Sequence, residues 1–215
     1  YGVGTGLTVT GAMSEPGEGG ARFEFDEDSG ATGDDGATEL SQARLVTEPM
    51  RSTLDAGVLD TVTGVDGVAA ASGTLGLTNM TFSGELPQRP DDAADGAAGE
   101  GAPPQEGGFG GGSFGVDSFA VLGIDPAGDA VGPLSAVTVD DGRGLGSSDA
   151  GENVAVLDAT YASSAELVVG DTIAVGGEDF EIVGIVSSTS SSADTASNVY
   201  IPLDVAQALS GAGDV

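Results

Sequence analysis

Histidine, cysteine, lysine and tryptophan are all missing from this 215-residue chain. Without cysteine there is no disulfide framework, thiolate metal site or cysteine nucleophile. Without histidine the commonest general base, the Ser-His-Asp triad and most zinc chemistry are gone. Aromatic residues make up only 5%. A core must therefore come from Val, Leu, Ile, Ala and a few Phe. No apolar run approaches the roughly 18–20 residues that span a bilayer. There is no signal peptide, and the chain opens on Tyr1 rather than Met. It reads as an excised or processed piece of something longer.

Positive charge is nearly missing as well. Five arginines face 35 acidic residues, a net charge of −30. Phosphate neutralisation needs clustered Lys and Arg, so nucleic acid is excluded as a partner. Docking on an anionic lipid surface is disfavoured for the same reason. Two sources account for such a composition: salt adaptation, or a GC-rich genome. Neither bears on fold. Apolar residues reach 39%, enough for a core. Glycine, at 38 residues, far exceeds the average of about 7%.

The pattern divides the chain into an N-terminal α+β part over 1–85, a low-complexity loop over 86–118 and a C-terminal α+β part over 119–215. Residues 6–11 alternate loosely, as do 22–26 (RFEFD), and both read as strands. Residues 39–63 make the best helical zone, with Thr38 or Ser41 as cap and Pro49 dividing it. Met50, Leu54, Val58 and Val62 recur every four residues, a core-facing stripe. One or two strands follow over 67–84.

Residues 86–118 hold PQRPDDAADGAAGEGAPPQEGGFGGGSFG. Such a stretch buries too little to offset its ordering entropy, so it reads as a long flexible Gly/Pro/Asp-rich insertion. Its glycine string is no phosphate loop, because no Lys follows it. Phe109 and Phe114 are isolated apolar residues there, candidates for contact with a partner or substrate.

Order returns with a buried strand, FAVLGI, over 119–124, closed by Asp125-Pro126 and Gly128. A strand or helix end over 136–140 leads into the loop 141–145, DGRGL. NVAVL at 153–157 is a strand, and 159–167 a short helix. Residues 170–186 form a hairpin whose Gly176-Gly177 turn supplies the positive φ a tight connection needs. Ile173 and Val175 share a face, as do Phe180, Ile182 and Gly184, with Val183 and Ile185 opposite. Both faces are apolar, so the hairpin is sandwiched. A Ser/Thr-rich loop over 187–197 precedes a last strand at 198–203. Asp204 is placed to cap a closing helix.

GRGL at 142–145, NVAVLDATYA at 153–162, VVGDTIAVGGEDFEIVGIV at 168–186 and NVYIPLDVAQAL at 198–209 come in a recognisable order. The series resembles the extracytoplasmic core domain of MacB/FtsX-like ABC transporter permeases, as does FAVLGIDP at 119–126. TGVDGV at 63–68 is similar to the family's junction between helix and strand. The resemblance weakens over 12–48 and fails in 86–118.

The resemblance implies an α+β fold: a porter-like βαβ part plus a smaller strand-rich part. It implies a non-catalytic domain at the extracytoplasmic face of the membrane, coupled to export or release of a substrate. Its partners would be the transmembrane helices of the same permease, a cytoplasmic ATPase subunit acting indirectly, and a second permease copy.

The residues themselves designate no catalytic, cofactor-binding or metal site. The acidic clusters Asp26, Glu27, Asp28, Asp34, Asp35 and Asp91, Asp92, Asp95 do not follow the EF-hand spacing and read as solvated surface. Carboxylate pairs for glycoside hydrolysis arise by chance among so many acids, and no aromatic sugar platform accompanies them. Arg143 is expected to pin its loop by pairing with Asp140 or Asp141. Two rival readings are a secreted or surface-anchored ligand-binding or adhesion module, and an enzyme. The open reading frame separates them: hydrophobic spans around this segment beside an ATPase gene are expected. A signal peptide with a lone anchor would instead select the adhesion module.

Overall fold

The computed structural model describes residues 7–12, 30–32, 38–47, 52–86, 114–127, 131–190 and 195–213. The fold is mixed α/β, dominated by one curled sheet. Its strands are β1 (Gly30–Thr32), β2 (Thr38–Thr47), β3 (Thr74–Leu86), β4 (Phe114–Ile124), β5 (Val137–Gly142), β6 (Val154–Asp158), β7 (Thr172–Val175), β8 (Glu178–Ser188) and β9 (Val199–Pro202). Three short helices accompany them among the described residues: α1 (Gly57–Thr63), α2 (Ala159–Ser164) and α3 (Leu203–Ser210).

The strands run in the order β1-β2-β3-β4-β9-β6-β8-β5, with β7 also on β8. The first four are antiparallel neighbours. Two parallel pairings, β4 with β9 and β6 with β8, carry the sheet into its second half. Parallel strands need long crossovers, and α2 with β7 fills the one between β6 and β8.

Alternation assigns the faces. Leu75 and Leu77 of β3, Leu45 of β2 and Val121 of β4 point to one side and are buried. They join Val175, Phe180, Ile182, Val199 and Ile201 in the main core, closed by α3 through Ala206, Leu203 and Leu209. A smaller cluster on the opposite side gathers Ile124, Val156, Val186 and Tyr200, with Leu145 and Val183 against it. The hairpin is thus sandwiched, as its apolar faces predict. Gly176 and Gly177 have φ of 63° and 92° at its turn, the conformation of a two-residue connection.

Several expectations fail. Residues 39–47 are strand, not helix, and Thr38 and Ser41 lie in β2 rather than capping anything. β2 is held on both sides by β1 and β3, and this tertiary pairing outweighs local helical propensity. The helix that does form starts at Gly57 and buries no residue. Val58 and Val62 are only half-buried and Leu59 is exposed, while the helix that closes the core is α3.

Residues 7–12 are irregular rather than a strand. They attach through the Ser52 N–H and Oγ, which donate to the Ala12 carbonyl. Of the 67–84 stretch only the part from Thr74 is strand. β4 begins at Phe114, five residues before the expected return of order. The N-cap of α3 is Pro202, and Asp204 sits in its first turn. Residues 22–26, Pro49, Met50, Gly128 and 87–113 lie outside the described residues.

Asn79 joins the two halves of the curl. It is fully buried on β3, and its Oδ1 accepts a hydrogen bond of 2.8 Å from the Gly176 N–H at the hairpin turn. Leu45 and Leu209 pack beside Gly176. Substituting Asn79→Leu leaves that buried N–H unpaired, which costs about 1–3 kcal/mol. The expected result is a midpoint lowered by roughly 2–10 °C in thermal unfolding, with the sheet signal in far-UV circular dichroism retained at 20 °C or so. An unchanged midpoint would remove the latch.

Candidate functional site

The loop after β5 lies directly on a bulge of β8. Residue by residue, β6 pairs Ala155 with Ile182 and then Val156 with Gly184, skipping Val183. The extra residue reverses the alternation. Ile185 therefore packs with Phe180 and Ile182 in the main core, while Val183 turns to the smaller cluster. This corrects the expected shared face of Val183 and Ile185: the period of two holds only up to the bulge.

Glycine is required on both sides of this contact. A Cβ on Gly184 would overlap the Arg143 backbone, and one on Gly142 would overlap the Val183 carbonyl. Gly142 also has φ of 67°, in the left-handed region that glycine adopts without penalty. The Arg143 N–H donates to the Val183 carbonyl at 2.9 Å. The GR pair thus lies directly against β8, Gly142 as the last residue of β5 and Arg143 through its N–H.

Arg143 pins the loop, but through Asp149 rather than Asp140 or Asp141. Its Nη1 and Nη2 donate to Asp149 Oδ2 and Oδ1 at 2.6 Å and 2.9 Å, a forked pair. Nη1 also donates to the Gly144 carbonyl. Asp149 Oδ2 accepts the Gly146 N–H as well, capping the 3-10 turn Ser147–Asp149. The two expected partners are engaged locally. Asp141 Oδ1 accepts its neighbour Gly142 N–H, and Asp140 accepts the Ser187 hydroxyl.

The pair is asymmetric: the Arg143 side chain is 52% exposed and that of Asp149 only 5%. The hydrogen bond from Arg143 holds the Asp149 carboxyl below its usual range, against the opposing effect of burial. The same bond raises the Arg143 guanidinium. Sequence spacing favoured adjacent acids. The residue that fits is six positions on, where the turn brings it back.

A second polar cluster sits at the head of β9. Asp158 caps α2 by accepting from the Thr160 and Tyr161 N–H groups through Oδ1. Its Oδ2 accepts from the Thr195 hydroxyl. The Tyr200 phenol, fully buried, accepts from the Ser197 N–H, and burial pushes its ionisation upward. These bonds tie α2, β6 and β9 together.

Among the described residues no group of His, Cys, Asp and Glu is spaced to hold a metal. Phe114 heads β4 opposite Gly84. Phe109 lies outside the described residues, as do the acidic clusters at 26–28, 34–35 and 91–95.

What the clamp and the bulge organise is the segment series singled out in the sequence. The profile of the MacB-like periplasmic core domain matches residues 46–214. The chain belongs to this family. No curated protein matches it. The matched span covers β3 to β9, all three helices, the GR loop and the hairpin. A MacB-like periplasmic core domain is a component of an ABC transporter permease. No helix of the described residues is long and apolar enough to cross a membrane.

The clamp makes two predictions. Asp149→Ala leaves the Gly146 N–H and the inner side of Arg143 unpaired, and should cost about 1.5–3 kcal/mol in urea unfolding at neutral pH. Because the folded Asp149 carboxyl titrates below its unfolded value, its contribution is present above about pH 4. It is lost as pH falls through the lowered folded value. The stability gap between wild type and Asp149→Asn should therefore be constant from neutral pH to about 5 and shrink below about 4. A gap that grows on acidification contradicts the clamp.

Proposed function

We propose that this chain is the non-catalytic extracytoplasmic domain of an ABC transporter permease. It couples ATP-driven movement of transmembrane helices to the export or release of a substrate. The observation that carries this reading is the family match over 46–214. Composition supports it independently, since the chain lacks His, Cys and Lys, the residues that most acid-base and nucleophilic chemistry uses.

In this reading the domain stands at the extracytoplasmic face of the membrane. Its partners are the membrane spans of the same permease, an ATPase subunit on the far side and a second permease copy. The β6–α2–β7–β8 passage serves as the porter-like part and β1 to β4 as the strand-rich part. ATP is hydrolysed elsewhere, so the domain acts mechanically, as a lid or clamp. Such a role favours a stiff body over a pliable one, and the forked Arg143–Asp149 pair and the Asn79 latch both stiffen it. Phe109 and Phe114 are the candidates for substrate or partner contact.

The test is reconstitution of the full permease with its ATPase in vesicles. Removing this domain should abolish substrate export while leaving basal ATP turnover within about twofold, since binding and turnover are separable steps. Phe114→Ala should weaken substrate stimulation without lowering basal turnover. Export that continues without the domain would overturn the proposal.

A further inference from the structure

Asp-Gly sequences occur in the chain at 35–36, 66–67, 95–96 and 141–142. The first and third lie outside the described residues. In this dipeptide the main chain can react with its own side chain. The glycine nitrogen attacks the aspartate Cγ, and the carboxyl hydroxyl leaves with the amide hydrogen as water. A five-membered succinimide results. Water then reopens it at either carbonyl. One product is aspartate again; the other is isoaspartate, whose main chain runs through the side-chain carbon. Glycine favours the step because no Cβ screens its nitrogen. Ring closure also requires the aspartate backbone to rotate, so the fold decides which pair reacts.

Solvent access does not separate the two described pairs, since Asp66 and Asp141 are both exposed. What surrounds the glycine does. Gly67 is the third residue of a tight turn after α1, with φ of 94°, where such a turn calls for glycine. The turn is closed by the Val68 N–H, which donates to the Val65 carbonyl at 3.1 Å. A Cβ on Gly67 would meet nothing within 4 Å. Among the described residues the Gly67 N–H donates to no other group. Residues 63–70 are all exposed, and α1 before them buries nothing. Opening one exposed turn bond thins the reactive population by no more than about tenfold.

Gly142 is held instead. It ends β5 in register with Gly184 of β8, and a Cβ on it would overlap the Val183 carbonyl. Its own N–H donates to Asp141 Oδ1 at 2.8 Å. Next to it the Arg143 N–H bonds the Val183 carbonyl, and before it Asp140 accepts from Ser187. Rotating Asp141 means lifting this segment from β8, against the forked Arg143–Asp149 pair. A concerted opening of that kind is far rarer than the opening of one turn.

We infer that Asp66 is a site of spontaneous isoaspartate formation in the folded protein, and that the packing of Gly142 on β8 protects Asp141 from the same reaction. The modification lengthens the main chain by one carbon between α1 and β3. It leaves the former α-carboxyl as a branch and dissolves the 65–68 turn. The sheet survives, because β3 begins only at Thr74. The result is an α1 re-aimed on an otherwise intact fold. The reaction falls within TGVDGV at 63–68, and it does not depend on the transport role.

The test follows ring closure at both sites. Asp66→Asn and Asp141→Asn form the same succinimide with loss of ammonia, so each reaction raises the protein's mass and is read on the intact chain. Circular dichroism checks that both variants are folded. In the native fold the Asp66→Asn protein should react at least about tenfold faster than the Asp141→Asn protein. In concentrated urea the two rates should converge, since the difference comes from the fold. Aged wild-type protein gives a second reading that needs no variant. Isoaspartate, detected by isoaspartyl methyltransferase labelling and peptide mapping, should lie at 66 and not at 141. The Val65–Asp66 bond should also become resistant to an endoproteinase that cuts before aspartate.

Equal rates in the two folded variants overturn the inference. So does a native Asp66→Asn rate more than about tenfold below its rate in urea, which would show that the turn protects. Label at 141, or no label at 66 in the aged wild type, overturns it as well.

Discussion

The backbone contact between Gly142–Arg143 and Val183–Gly184 sets the geometry of the second half of this domain. It exists because two glycines leave room that any Cβ would fill. On one side it admits the bulge that turns Val183 out and Ile185 in. On the other it fixes where the loop must run, and the forked Arg143–Asp149 pair then holds that course. The smaller apolar cluster forms beneath, with Leu145 from the loop and Val183 from the bulge. Removing either glycine would disturb the loop, the strand and the cluster together.

Much of the second half was legible in the sequence because its signals are local. A Gly-Gly turn between alternating apolar runs fixes a hairpin, and NVAVL or NVYIP leave no doubt of a buried strand. The first half was less legible. Residues 39–47 contain Glu, Leu, Gln, Ala and Arg, all favourable to helix, and only pairing with β1 and β3 makes them strand. The stripe of α1 suggested a core helix, yet α1 buries none of it, and the helix that packs on the core is α3.

The clamp was half legible. That Arg143, so rare a cation here, would be paired followed from composition. That its partner is Asp149 depends on the turn at Gly146, which spacing alone does not encode. Asn79 carried no signal at all. One asparagine among Thr and Met in a strand looks like a solvent-facing residue, and its role comes from a glycine N–H 97 positions away. The bulge likewise hides in the run PheGluIleValGlyIleVal, which is apolar on both faces and so does not show where the alternation reverses; Gly184 inside the strand is the one local sign of it.

The burial of Asn79 has one more consequence. Asn79-Met80-Thr81 is the sole Asn-x-Thr/Ser sequence in the chain, the acceptor pattern for N-linked sugar on exported surfaces. With the amide enclosed in the core and bonded to Gly176, the finished fold offers no approach to a glycosyltransferase. A glycan added before β3 meets the hairpin would block the closure of the curl. In a cell that glycosylates its exported proteins, folding and modification of this domain are therefore in competition, and the speed with which the sheet closes decides which of the two Asn79 serves.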